Sequence, residues 1–205
     1  MTDAQIHETK EKILHAARTL FAIKGFDGAS IREIAAEADV NIAAVNYHFT
    51  SKELLFMQVI EWVFSDTTNK IRARRAENPQ EKVEDLAVWL FNFFLESSDI
   101  LRSVFKMMLS EKGWGEDIEC DKGDEKFGPP GGMAIAEAIS NEVNHTISEA
   151  DMFWAVKMIF CPVVHMALMY SNHFCNLPED KFPYHDRKTL EADIRRLVRV
   201  VLKDL

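Results

Sequence analysis

With 205 residues and 47% hydrophobic content, the chain is long and apolar enough for one or two modest domains, which excludes a largely disordered protein. A formal net charge of −9 argues against a general polyanion binder, so any nucleic-acid contact must rest on a few well-placed donors. Three cysteines, Cys120, Cys161 and Cys175, are an odd number without CxxC spacing; this excludes a zinc knuckle or a disulfide framework and leaves buried free thiols as the expected state.

The opening MTDAQIHETKEK is polar and lacks an apolar signal region. Residues 3–24 read as a first helix with Ile13, Ala17, Leu20 and Phe21 on one face; Gly25 suits its end and Phe26 the accompanying apolar contact. Lys10 and Lys12 read as solvated surface lysines in preference to phosphate contacts. Ser30 and Glu33 have capping-box spacing, and Ile31, Ile34, Ala35 and Ala38 make one apolar side of a short second helix. Asn41 is a good N-cap for a third, whose Val45 and Phe49 can pack back while Ala43, Ala44, Asn46 and Tyr47 form the opposite side. Two capped helices with a tight turn occur in many proteins that never meet DNA, but a small, polar and aromatic face also suits a helix in a major groove. Thr50 and Glu53 repeat the capping spacing, putting Lys52 at a helix N-terminus where it could clamp a phosphate.

Nothing breaks the next helix until Asn78-Pro79. Its KIRARR run, residues 70–75, reads as cations complementing the helix dipole, in preference to a nucleic-acid patch. Residues 80–96 are apolar enough to be buried on most sides, so Asn92 must pair either with a neighbouring helix or with a ligand. A helix capped by Ser98 follows, with Leu101, Phe105, Met108 and Leu109 inward and packed on its predecessor. Residues 112–132 form a Gly, Pro and acid-rich loop, and 133–146 an amphipathic helix with Ile135, Ala136, Ile139 and Val143 inward. Ser148 and Asp151 open a long apolar helix that Pro162 should kink. Its run from Met158 to Tyr170 falls short of the roughly 18 residues of a membrane span, so no membrane partner and a cytoplasmic location are expected. The last helix, 186–205, lines up Leu190, Ile194, Leu197, Val201 and Leu205, with Arg195, Arg196, Arg199 and Lys203 largely opposite. These last two helices can make half of a four-helix dimer seam or simply close the chain's own core.

Over residues 10–60 the sequence resembles the TetR family of transcriptional regulators, notably in ILHAARTLFAIKGFDGAS, IAAEADV and VNYHFTSKELL. The resemblance implies a DNA-binding head in which Ala43, Ala44 and Asn46 face bases, Tyr47, His48 and Lys52 face phosphates, and Ser30 and Arg32 supply the leading helix's contacts. Asn pairing with adenine and Ala meeting a thymine methyl fit those positions. Ile42 is ambiguous between groove and core. Two residues depart from the family pattern: Asp39 stands where glycine is usual in the turn, and Asn46 where an aromatic is frequent.

Cys161 with His165, and His173 with Cys175, invite a metal reading, but two ligands on one helix face are not a site, and core packing is preferred. No nucleophile elbow, HExxH or paired-carboxylate spacing is present, so neither an enzyme nor a cofactor is expected. Trp89, Asn92, Phe93, Phe105, Met108, Trp154, Met158, His165 and Tyr170 are candidate walls of a pocket for an apolar effector carrying one polar group, with a solid core as the alternative for each. The expected protein is all-α: a helix-turn-helix head (1–50), a linking helix (51–77) and an effector-binding and dimerisation domain (78–205). Its expected partners are a palindromic DNA operator, a small-molecule effector and a second copy of itself. A regulator without an effector, and an all-helical enzyme, are the rival readings.

Overall fold

The computed structural model describes residues 3–108, 131–171 and 186–205; the expected loop and Cys120, Cys175, His173 and Leu109 lie outside them. Among the described residues every regular element is a helix: α1 (Asp3–Gly28), α2 (Ile31–Glu37), α3 (Ile42–His48), α4 (Lys52–Glu77), α5 (Val83–Glu96), α6 (Ser98–Met108), α7 (Gly132–Glu142), α8 (Glu149–Ser171) and α9 (Arg187–Asp204). They divide into two compact units, Met1–Phe64 with Asp99–Cys120, and Ser65–Ser98 with Asp121–Leu205.

In the first unit α1 leaves helical geometry at Gly25 (φ 71°, ψ 173°), a conformation only glycine adopts without strain, so the chain turns where the sequence places the break. Phe26 then stacks on Phe21 at 6.0 Å, and the Phe56 ring meets both edge-on at 4.9 and 5.2 Å. Around these rings Ile13, Ile34, Val45, Phe49, Leu55 and Val59 are buried completely or nearly so, forming one core shared by α1, α2, α3 and the start of α4. Helix α6 differs from expectation. Ile100 joins this core and the buried Ser103 hydroxyl donates to the Phe21 carbonyl at 2.7 Å, so the segment packs with the head although it lies within the expected 78–205 domain. Leu101 is buried, but Phe105 is 40% exposed. The hydroxyl decides this register, because a buried Ser needs an acceptor and α1 offers one where it ends.

In the second unit α5 is the central helix, packed by α7, α8 and α9, with Leu86, Ala87, Leu90, Phe91 and Phe94 buried. The second half of α4 closes against the start of α7: the Gly131 N–H donates to Thr68 Oγ1 at 3.1 Å, at φ 76°. A Cβ there would stand 2.3 Å from Ile71 Cδ1, so only glycine fits. Helix α9 buries Leu190, Ile194 and Val201 as expected, with Val198 buried in place of the half-buried Leu197. Two basic residues of α9 reach α5. Arg195 pairs with Asp85 at 2.5 Å and Arg199 with Glu84 at 2.8 Å, half-exposed bridges that align the two helices more than they stabilise them.

Pro162 lies within α8, which stays helical through it to Ser171. By length and composition this helix, whose apolar window has a mean hydropathy of 1.7 and is 44% buried inside the protein, is long and apolar enough to cross a membrane, unlike the shorter run expected. Cys161 is exposed on it, not buried as expected, because the helix turns that position away from α5 and α9. In the KIRARR run, Lys70 pairs with Asp66 and Arg74 with Glu81, while Arg75 is buried against carbonyls of the following turn, in keeping with the structural reading.

Candidate nucleic-acid interface

Two caps set the geometry of the helix pair. Ser30 Oγ accepts the Glu33 N–H at 3.2 Å and donates to Glu33 Oε2 at 2.7 Å, while the Ser30 N–H donates to the same oxygen at 3.0 Å. Lys24 adds an ion pair to Glu33 at 2.6 Å, and together Lys24 and Ser30 hold that carboxyl down to about 2, so it stays ionised in any binding assay. Asn41 Oδ1 accepts the Ala44 N–H at 2.7 Å and starts α3. Between them Asp39 takes φ 53°, the left-handed conformation its place in the turn demands, and the Val40 N–H reaches the Ala35 carbonyl at 3.0 Å. Asp tolerates this at a strain of order 1 kcal/mol. Asp39→Gly should therefore raise head stability by up to about 1 kcal/mol and Asp39→Val lower it by about 1–2 kcal/mol, read by thermal melts; equal melting of both variants would show the turn unstrained.

Beyond the turn, Val45 and Phe49 anchor α3 and leave its other side open. Ala43 and Asn46 are exposed, Ala44 is half-buried, and Tyr47 is 73% exposed. Ile42, which the sequence leaves ambiguous, is 45% exposed at the head of the same face and belongs with them. Apolar character alone could not have placed it, because a helix's first turn can point either way. Arg32 is exposed on α2, and Ser30 has its hydroxyl committed to the cap. His48 is turned partly inward: its Nε2 is buried without a hydrogen-bond partner, and burial, then nearby Lys10, push its pKa down, so the imidazole is neutral at physiological pH.

Helix α4 begins one residue later than the expected Thr50 cap. Ser51 Oγ accepts the Leu54 N–H at 3.1 Å, which makes Lys52 the first helical residue. Its ammonium lies 4.6 Å from the Phe26 ring centroid and 3.5 Å from the Asp27 carbonyl. Lys10 is half-buried with its ammonium 5.9 Å from the Phe49 ring centroid, so it is not the solvated lysine expected; Lys12, which pairs with Glu8 at 2.7 Å, is. Among the described residues Lys10, Arg32 and Lys52 have no carboxylate partner, whereas Lys12 and Lys24 of the same unit are paired with Glu8 and Glu33. These unneutralised charges beside α3 are the local basic footprint that the net charge conceals.

The nine candidate effector residues do not form one site. Trp89 stacks on Phe93 at 5.4 Å, Arg74 covers Trp89 at 5.0 Å, and Trp89 and Asn92 line a cleft of about 690 Å³ with Arg195 and Asp85. Of the two fates open to Asn92, the neighbouring helix takes it: it accepts from Arg187 at 2.5 Å and donates toward Glu191 at 3.4 Å. Tyr170 meets Phe91 edge-on at 6.3 Å, and Met158 is half-buried. Trp154 and His165 are exposed on α8, Phe105 belongs to the first unit, and the Met108 side chain lies outside the described residues. Among the described residues no three metal-ligating side chains gather.

Residues 13–59 match the family described as bacterial regulatory proteins, tetR family. A probable HTH-type transcriptional regulator, YttP, of Bacillus subtilis is 29% identical over 102 residues, 48% of this chain and 49% of its own. The IcaR negative transcriptional regulator of the biofilm operon icaADBC in Staphylococcus aureus is 32% identical over 87 residues, 42% of this chain and 46% of its own. The chain thus spans about half the length of these curated relatives. In fold, a TetR-family transcriptional regulator from Pectobacterium atrosepticum aligns over 100% of this chain and 97% of its own with a TM-score of 0.66 at 18% identity, and a second from Mesorhizobium loti over 100% and 96% with 0.62 at 19%. All of these are regulators, not enzymes.

Proposed function

The chain is a TetR-family transcriptional regulator, and we propose that it is a repressor that binds a palindromic operator as a homodimer and is released by a small, largely apolar effector. The observation that carries the DNA reading is the open side of α3, Ile42, Ala43, Asn46 and Tyr47, flanked by the unneutralised Lys10, Arg32 and Lys52. A helix whose one side is fully buried and whose other side offers small, amide and aromatic groups is built to enter a major groove, with the cations fixing its register on phosphates. The residue roles are those implied by the family resemblance, with Ile42 and Lys10 added. A protein acting on DNA in this way works in the cytoplasm.

The second copy is proposed to cover the outer stripe of α8, where Phe153 and Trp154 remain 41% and 37% exposed, and Val200 of α9, 60% exposed. Two heads one helical turn apart then read two half-sites. The division of labour follows the two units, with α4 contributing residues to both. An effector that binds one conformation of the second unit more tightly would shift the population of operator-competent dimers.

Lys52→Ala should weaken binding to every duplex roughly tenfold and flatten the salt dependence by about one ion, whereas Asn46→Ala should change preference at one base pair. Both are read by titrating bound genomic fragments and point-substituted duplexes across a salt series. A Lys52 variant as tight as the parent at every salt concentration would remove the phosphate role; an Asn46 variant with unaltered base preference would remove the reading role.

A further inference from the structure

Arg75 is the one described residue of the second unit with a buried side-chain nitrogen that finds no hydrogen-bond partner. Its side chain is 5% exposed, yet among the described residues it meets no carboxylate. Nη1 donates to the carbonyls of Asn78 and Glu81 at 3.2 and 3.1 Å, and Nη2 to that of Pro79 at 3.1 Å, which ties down the turn after α4. Three bonds leave two of the five guanidinium N–H groups, and the buried Nε–H has no partner. A guanidinium withdrawn from water without an anion is unfavourable, and carbonyl dipoles offset only part of that. Elsewhere in the unit the sequence supplies the acid: Arg74 has Glu81 and Arg195 has Asp85.

Arg75 also lines a cleft of about 810 Å³ formed by the end of α4, α7 and the start of α8. Its walls are Met133, Ile147 and Met152 with small alanines of α7, a flexible apolar surface suited to an unbranched hydrocarbon. The remaining charges around it are Arg72, Glu137 and Glu149, so with Arg75 the lining is neutral overall. A monoanion is favoured there over a dianion, which the two carboxylates would repel. None of these residues is among the pocket walls read from the sequence.

We propose that this cleft is the effector site and that its ligand is an apolar monocarboxylic acid, whose carboxylate supplies the missing counter-charge of Arg75 and whose chain lies along Met133 and Met152. The assignment rests on the effector reading above for its regulatory meaning, but binding is testable without it. Decanoate, kept below its micelle-forming concentration, should raise the melting temperature of the full chain in a concentration-dependent way, while decan-1-ol and decylamine at equal concentration should not. Arg75→Lys keeps the charge but loses the planar fork, and should weaken binding at least tenfold. Because that change also loosens the turn, Met133→Trp, which fills the cleft from a 38% exposed position, is the second variant; it should abolish the shift, whereas Trp89→Ala should not. Equal stabilisation by the alcohol, an undiminished shift in Met133→Trp, or loss of the shift in Trp89→Ala would each overturn the site. If decanoate binds as described yet leaves operator affinity unchanged, the site stands and the effector reading fails; if operator is released by apolar compounds while decanoate does not bind, the reading stands and the site fails.

Discussion

Phe56→Ala should unfold the DNA-binding head under conditions where the parent is fully folded. Phe56 is completely buried and meets Phe21 and Phe26 edge-on at 4.9 and 5.2 Å, in the one core shared by α1, α2, α3 and the start of α4. Truncating a buried phenylalanine costs about 3–5 kcal/mol through lost transfer energy and the cavity left behind. Loss of two ring–ring contacts adds to this, and such a sum is a large share of the 5–15 kcal/mol that holds an ordinary domain together. Neighbouring rings cannot collapse into the gap, since Phe21 is fixed by Ser103 through its carbonyl and Phe49 caps α3. Circular dichroism melts and operator titration should show the helical signal of the head and operator binding lost together. A variant melting within a degree or two of the parent would mean that the rings are not the keystone of the head.

Trp154→Glu is expected to convert the proposed dimer to a monomer and reduce operator affinity by at least 100-fold. Trp154 is 37% exposed on α8, Cys161 and His165 continue its stripe at helical spacing, and Phe153 beside it is 41% exposed. Exposed aromatics in a row are the mark of a covered face, and a carboxylate placed in the seam would be buried twice, once from each copy. The DNA effect exceeds the loss of a few contacts, because joining two heads makes the second half-site binding intramolecular; separating them forfeits that effective concentration. Val200→Glu on α9 should act in the same direction. Analytical ultracentrifugation reads the first effect and operator titration the second, with a circular dichroism melt confirming that the variant is folded. A variant that sediments like the parent, or binds operator equally well as a monomer, would place the seam elsewhere.

The head was largely legible because its signals are local. Capping residues act on the backbone within three positions, so Ser30 with Glu33, and Asn41, fix two helix starts without reference to the rest of the chain. A glycine or a tolerant Asp is required wherever φ is positive, so Gly25 and Asp39 mark their turns by chemistry alone. Even there a one-residue ambiguity persisted: Thr50 and Ser51 are both competent caps, and Ser51 takes the role, which makes Lys52 the first helical residue instead of the second. Apolar periodicity likewise placed α9 and most of its inward stripe but missed one position, since Leu197 and Val198 are equally apolar and Val198 is the one buried.

What the sequence by itself determined, then, was the all-helical class, the helix-turn-helix with its caps and turn, and the side of α3 that stays open, because each follows from interactions spanning at most a few turns of chain. Tertiary structure alone decided that α6 belongs with the head, that Lys10 sits against Phe49, that Asn92 is satisfied by α9, and that Arg75 is buried without a carboxylate partner among the described residues. Each of these joins residues distant in sequence, or concerns what fails to arrive beside a residue, and no periodicity encodes either. That is why the surface proposed to meet DNA could be read from the chain, while the cleft proposed for a ligand had to be found in the fold.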